Sequence, residues 1–455
     1  MNAIEWESAA VRQWAAFAVA LAWVLMCVAI AREQRRARRA DALGGSGAGT
    51  PVLVAYASQT GFAEQVARQT AGLLHTAGVP ARLMALSQVT VDDLATAERA
   101  LFIASTCGEG DPPDNAALFV RRVMSQARSL PNLHCGVLAL GDKEYTRFCG
   151  FGRALDDWLV SSGASPLFER IEVDNANEAA MAEWHHRLSH LAGTSDLPDW
   201  QAPAWEPWRL LAREHLNPGS AGGPTFHLEL APVAGAAAGW VSGDLVQVRA
   251  PADPSRPREY SIASIAADGR VHLLVRQERH DDGSLGVASG WLTEQVEVGG
   301  TVDLRLRPHA NFQLGDNATR PLILVGNGTG LAGLRGHLRA RAAAGAGRCW
   351  LVFGERQAAF DAYYRDEIEG WLASGVLSRV DLVFSRDTPE RPYVQDRLRE
   401  AAADVKAWLD DGAALYVCGS LQGMAGGVDA ALTGMVGADG VERLMEAGRY
   451  RRDVY

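Results

Sequence analysis

The sequence predicts two α/β units of parallel-sheet type separated by a small antiparallel β-barrel, with a membrane-spanning helix ahead of them. Three observations carry this expectation. Ser58-Gln59-Thr60-Gly61-Phe62-Ala63 stands directly behind the apolar run Val52–Ala55. Arg258-Glu259-Tyr260-Ser261 lies in a stretch of short alternating strands. Gly326-Asn327-Gly328-Thr329-Gly330 follows Leu322–Val325. Each motif ends a strand-like run, where α/β sheets bind phosphate-bearing ligands.

A chain of 455 residues exceeds what one core serves, so two to three domains are expected. A hydrophobic content of 48% excludes a largely disordered chain. A net charge of −10 argues against a nucleic-acid partner, which calls for a basic face. Cys27, Cys107, Cys135, Cys149, Cys349 and Cys418 form no Cys-x-x-Cys pair, and the histidines show no ligand spacing, so no metal is expected. Scattered cysteines suit a reducing compartment.

Trp14 to Ala31 carries no charge. As a helix it spans about 27 Å, close to the hydrocarbon thickness of a bilayer. Arg32, Arg35, Arg36, Arg38 and Arg39 follow, and Glu5 and Glu7 precede. This order predicts a single-pass inner-membrane protein with its catalytic body in the cytoplasm. A cleaved signal peptide carries its positive charge before the apolar run. A buried soluble helix is the plainer alternative. Asp41 to Thr50 is glycine-rich and reads as a tether.

From Pro51 to about residue 193, five strands are expected: Val52–Tyr56, Arg82–Ala85, Ala100–Ser105, Cys135–Leu140 and Pro166–Ile171, with helices between. The first loop offers the Ser58 and Thr60 hydroxyls and opens a helix at Phe62. Amides at a helix start attract a phosphate without lysine or arginine. A capped turn explains the same residues structurally. There is no Gly-Lys-Ser/Thr, so a nucleoside triphosphate is not expected. A second loop, Cys107 to Asn115, follows the third strand, and a third, Gly141 to Gly150, follows the fourth. Asp111, Asp114, Asp142, Glu144, Asp174 and Glu178 would form an acidic rim, there either for solubility or to steer a basic acceptor or a neighbouring domain.

These three loops together resemble the flavodoxin-like FMN domain of diflavin reductases. The resemblance implies that Ser58, Gln59, Thr60, Gly61, Phe62 and Ala63 hold the FMN phosphate. It places Thr106, Cys107, Gly108, Gly110, Gly141, Tyr145, Phe148, Cys149 and Asp174 around the ring, with Tyr145 stacked on it. Cys107 stands where haemoprotein reductases carry a tyrosine. Sulfite reductase flavoproteins also lack that tyrosine.

Residues 194–222 contain several prolines and glycines and read as a linker with one amphipathic stretch, Trp205 to Leu216. Residues 223–318 read as a barrel with strands Thr225–Leu230, Leu245–Val248, Tyr260–Ile265, Val271–Arg276 and Thr301–Arg307. Arg258, Tyr260 and Ser261 around Glu259 are expected to share one strand face, with the arginine clamping a pyrophosphate. Gly286-Val287-Ala288-Ser289 precedes a helix and would take a second phosphate. A strand with an exposed arginine and a packed tyrosine is the structural alternative. The pairing resembles the FAD half of the ferredoxin–NADP reductase family. There is no room for the helical connecting domain that diflavin reductases usually insert.

Residues 319–455 return to strand–helix alternation. Gly328, Thr329 and Gly330 form a turn that lets a dinucleotide approach the backbone. Ser385, Arg386, Arg391, Tyr393 and Gln395 cluster in sequence after Val380–Phe384, and two arginines near one ribose favour a 2′-phosphate. The resemblance assigns these residues to NADP and sets Cys418 beside the nicotinamide. It makes Tyr455 the aromatic cover of the FAD ring and groups Ser261, Cys418 and Asp453 as the catalytic cluster.

The expected protein is a membrane-anchored NADPH diflavin reductase. Electrons would pass from NADPH to FAD to FMN to a haem, sulfite reductase-type or metal-chelate acceptor, membrane-bound or not. A flavin-based redox sensor, or a flavin oxidase or quinone reductase at the membrane, are the alternatives.

Overall fold

A computed structural model describes residues 42–43, 50–126, 128–175, 177–193, 204–233 and 239–455. Three sheets follow one another along the chain.

The first sheet contains β1 (Ala42–Leu43), β2 (Val52–Ala57), β3 (Ala81–Ala85), β4 (Arg99–Ser105), β5 (His134–Gly141), β6 (Ser165–Pro166) and β7 (Ile171–Asp174). Its order is β1-β3-β2-β4-β5-β6, with β7 also on β5. All pairings but that of β1 are parallel. Both faces are covered, so the strands are apolar throughout. Val52, Val54, Leu101 and Ile103 pack under helices Phe62–Thr76 and Glu178–Ala192. Leu53, Ala55, Phe102 and Ala104 pack on the other side, with helix Gly150–Ser161. The single fifth strand expected over Pro166–Ile171 is instead two short ones. Between them Phe168 turns inward, and its ring occupies the space that Gly136 leaves by having no side chain.

The second sheet is antiparallel: β8 (Glu206–His215), β9 (Thr225–Pro232), β10 (Leu245–Arg249), β11 (Arg258–Ser261), β12 (Val271–Arg276) and β13 (Thr301–Arg307), in the order β11-β10-β13-β8-β9-β12. β8 corrects the linker expected over 194–222. It lies between β13 and β9 and buries Trp208 and Leu210 completely. Each such side chain contributes roughly 2–3 kcal/mol. Its alternation is broken where the register shifts between Leu210 and Ala212, which hid the strand from a period-2 reading.

The third sheet is wholly parallel: β14 (Leu322–Asn327), β15 (Cys349–Glu355), β16 (Leu377–Phe384), β17 (Ala414–Gly419) and β18 (Tyr450–Val454), in the order β16-β15-β14-β17-β18. Leu322, Leu324, Tyr416 and Cys418 share one apolar core with Ala263, Leu274, Phe312 and Leu314 of the barrel. That shared core fixes the barrel against the third sheet.

The expected transmembrane helix and inner-membrane location are corrected. No helix among the described residues is long and apolar enough to cross a membrane. Trp14–Ala31 itself lies outside the described residues.

Candidate functional site

The first phosphate loop leaves β2 and enters helix Phe62–Thr76 through Gly61, whose φ of 90° is left-handed. That helix has no side-chain cap, so its first amides remain available. Ser58 is fully buried; its amide donates to Asn115 Oδ1 at 2.9 Å and its Oγ accepts from the Gly61 amide at 2.9 Å. Thr60 and Phe62 are half-buried and Ala63 is buried. Gln59 acts as a strut: its Oε1 accepts from the Asp114 amide at 2.9 Å and its Nε2 donates to Asp114 Oδ2 at 3.3 Å.

The second loop closes on itself through reciprocal backbone bonds of 2.9 Å between Cys107 and Asp111, with Gly108 and Gly110 inside the turn. Burial pushes the Cys107 thiol far up. Thr106 Oγ1 is buried with no hydrogen-bond partner among the described residues. The third loop runs from Gly141, which ends β5, to Cys149, the left-handed residue opening helix Gly150–Ser161. It presents Tyr145 at 45% exposure and Phe148 beneath Lys143. Asp174 Oδ1 accepts from the Lys143 amide at 3.1 Å. The structure therefore brings all three expected loops to the carboxyl ends of adjacent strands β2, β4 and β5. An uncapped helix start and an orphaned threonine hydroxyl fit a phosphate-bearing planar cofactor.

On the barrel, the register places Arg258 opposite Val248 and Ser261 opposite Leu245. Two-residue alternation then sets Arg258 and Tyr260 on one face and Glu259 and Ser261 on the other. This corrects the expectation that Ser261 shares a face with Arg258. The Arg258 guanidinium donates to Glu144 Oε1 at 2.9 Å, as does Arg256 at 3.1 Å. The pair is partly exposed and weak, so Arg258 is free to exchange Glu144 for a phosphate. Gly286 starts helix Val287–Gly290, and Ser289 Oγ accepts from the Glu278 amide at 3.1 Å. That helix begins at Val287, within the run expected to precede it, and includes Ala288.

Among the described glycines, the turn leaves the least room for a side chain. A Cβ on Gly330 would lie 2.0 Å from the Cys418 carbonyl oxygen, and one on Gly328 3.3 Å from Arg276. Thr329 Oγ1 and Tyr455 Oη are 3.0 Å apart. Asn327 uses Oδ1 to accept from the Ser420 amide at 3.0 Å. Beyond β16, Ser385 is buried while Arg386, Arg391 and Tyr393 are exposed. Among the described residues neither Arg386 nor Arg391 has an ion-pair or side-chain hydrogen-bond partner. Gln395 packs against Gly427.

The expected catalytic cluster is assembled. Ser261 Oγ donates to Asp453 Oδ2 at 2.7 Å, and the Cys418 thiol lies 3.5 Å from the same oxygen. Burial, reinforced by Asp453, holds the Cys418 thiol well above its usual range, so it stays protonated and can donate. Register pairs Cys418 with Asp453 directly. Tyr455 remains 57% exposed at the edge of this cluster.

Residues 54–186 match the family described as Flavodoxin, and residues 324–430 match the family described as Oxidoreductase NAD-binding domain. The chain is 30% identical to the sulfite reductase [NADPH] flavoprotein alpha-component of Vibrio cholerae over 90% of its own length and 88% of that protein's. The same-named protein of Vibrio parahaemolyticus is 30% identical over 92% of this chain and 88% of its own length. That of Neisseria meningitidis is 30% identical over 89% of each. This chain belongs to the diflavin reductase family. It is an NADPH-dependent flavoprotein oxidoreductase whose cofactors are FMN, FAD and NADPH.

Several residues of this diflavin reductase escaped the sequence reading. Arg452 pairs bidentately with Asp114 across the domain boundary, its Nε at 2.9 Å. Burial works against the Arg452 charge, and the Asp114 carboxylate overcomes it. Asn311 Nδ2 donates to the Ser58 carbonyl at 2.7 Å. Arg307 is almost fully buried over the Phe62 ring, with Nη2 unpartnered. His309 is fully buried, with Nδ1 4.0 Å from Asp453 Oδ1. No local motif marks these residues, because their partners lie more than a hundred positions away.

Proposed function

We propose that this diflavin reductase moves electrons from NADPH through FAD and FMN to a haem-bearing, sulfite reductase-type partner. The flavins supply the redox chemistry, taking up two electrons together and releasing them singly. The Ser261–Asp453–Cys418 cluster carries the reading, because it stands where the glycine turn, the barrel and β18 meet.

In this reading the amides of the Ser58–Ala63 loop hold the FMN phosphate and Tyr145 covers the ring. Thr106, Cys107, Gly108, Gly110, Gly141, Phe148, Cys149 and Asp174 shape the rest of that site. Arg258, Tyr260 and the Gly286–Ser289 helix start bind FAD. The glycine turn receives the NADPH pyrophosphate, and Ser385, Arg386, Arg391, Tyr393 and Gln395 receive its 2′-phosphate end. Tyr455 must leave Thr329 before a nicotinamide can stack. Asp453, buried and hydrogen-bonded by Ser261, would stabilise positive charge on a nicotinamide held beside it. Cys418 orients the same carboxylate and excludes solvent from its side of the site.

The sulfite reductase names of the relatives support the acceptor assignment. Its test is addition of a sulfite reductase haem subunit to the flavin-loaded chain with NADPH. Sulfite-dependent NADPH oxidation is expected. Fast reduction of cytochrome c without any sulfite-dependent turnover would overturn the acceptor.

A further inference from the structure

The residues of β18 and the tyrosine that follows reach all three domains. Arg451 Nη1 donates to the Ala310 carbonyl at 2.8 Å, in the segment after the barrel strand β13. Arg452 grips Asp114 of the flavodoxin-like domain. Asp453 accepts from Ser261 of the barrel. Tyr455 meets Thr329 of the glycine turn. Asp114 is itself braced against the FMN phosphate loop through both polar ends of Gln59. An unbroken series of bonded groups therefore runs from that loop to Asp453, by way of Gln59, Asp114, Arg452 and one peptide unit.

We propose that Arg452 is a positioning residue through which docking of the flavodoxin-like domain sets the orientation of the Asp453 carboxylate. The idea rests on the functional reading above and deepens it. Three facts support it. Among the described residues β18 is an edge strand that pairs only with β17, so its place depends on what its side chains hold. Successive residues point to opposite faces, so Arg452 pulls outward directly against Asp453 pointing inward. Both side chains of the Arg452–Asp114 pair are largely withdrawn from water, at 19% and 25% exposed, whereas at the same boundary Glu442 is 13% exposed but the Arg121 and Arg122 facing it are 51% and 56% exposed. A pair shielded on both sides loses more when broken than one whose arginine stays largely in water, where solvent screens the attraction. Arg452 thus lets the hydride site register whether the electron's next carrier is seated.

Hydrogen–deuterium exchange on the full flavin-loaded chain tests this, with flavin content confirming that each variant is folded. In Asp114→Asn, the peptide covering Tyr450–Val454 should exchange about tenfold faster. NADPH should also bleach flavin absorbance about tenfold more slowly in the first turnover, although Asp114 belongs to a different domain. Arg452→Lys, which keeps the charge, should fall between wild type and Arg452→Gln. Arg121→Gln, which weakens the same boundary away from β18, should leave both readouts unchanged. Unaltered β18 exchange or an unaltered first-turnover rate in Asp114→Asn would overturn the proposal. Failure of NADPH to bleach the wild-type protein would instead defeat the functional reading. The exchange comparison needs no turnover and still decides the coupling.

Discussion

Ser261 and Asp453, one on a barrel strand and the other on the edge of the third sheet, are joined by a 2.7 Å hydrogen bond in a buried setting. Ser261 therefore aims the carboxylate as well as touching it. Asp453→Asn keeps the shape and removes the charge. It should lower the rate of flavin reduction by NADPH about 10²–10³-fold, the usual loss when one preorganised electrostatic group is removed. Ser261→Ala should cost less, about tenfold, because the charge survives without its guide. Rapid-mixing absorbance measures both.

The Arg386 and Arg391 side chains have no ion-pair or hydrogen-bond partner among the described residues and are exposed after β16. Replacing both with alanine should raise KM for NADPH at least about 100-fold, since each charge-assisted contact to a phosphate contributes about 1.5–3 kcal/mol, roughly tenfold or more apiece. KM for NADH should change less than about twofold. Parallel steady-state titrations with the two nucleotides give the answer, and equal effects would remove the 2′-phosphate assignment.

Gly330 is squeezed against the Cys418 carbonyl, with 2.0 Å left for a methyl group. Gly330→Ala should destabilise the fold by about 1–3 kcal/mol through overpacking. It should also weaken NADP⁺ binding at least about tenfold. Thermal unfolding and calorimetric titration measure these separately.

His227 and His272 lie edge to face on neighbouring strands β9 and β12. Burial lowers both, helped for His227 by His272 and Arg335 and for His272 by Arg335, to about 4 from 6.5. Both rings are thus neutral in the fold at pH 7. The unfolded chain takes up its proton near 6.5 and the folded chain near 4. Stability is therefore full above pH 6.5, falls as the pH drops towards 4, and levels off below. One such ring accounts for roughly 3 kcal/mol. Urea titrations at stepped pH should show this slope, and His272→Gln should flatten it.

Thiol chemistry offers another check. Burial pushes Cys135 and Cys149 up to about 12 and Cys418 well above the ordinary range. At pH 8 a thiol at 12 is ionised only to about one part in 10⁴, so these cysteines should resist iodoacetamide in the folded protein. Peptide mapping after brief alkylation should find them modified only in denaturant.

Much of this architecture was legible because the two parallel sheets bury both faces of their strands. Unbroken apolar runs such as Val52–Ala55 and Leu322–Val325 then announce themselves, and the loops after them are where ligands bind. The Ser261–Cys418–Asp453 cluster was foreseen only through family likeness, since nothing local unites three residues on different strands. β8 was missed because an irregularity at Leu210–Ala212 interrupts its alternation. The face of Ser261 was misjudged although strand geometry already opposed it to Arg258. The Asp114–Arg452 pair was invisible because both look like ordinary charged surface until two domains are set side by side. The apolar run at Trp14–Ala31 lies outside the described residues, and no span is found within them.

Gly61 carries a left-handed φ of 90°, and a Cβ there would stand 2.5 Å from the Pro308 carbonyl. One hydrogen atom thus separates the loop of the first domain from the backbone of the barrel. For anyone building chimaeras from interchangeable flavodoxins, this is a mating condition. A transplanted module must bring a residue without a side chain to that spot, or it will perch on the barrel instead of seating against it.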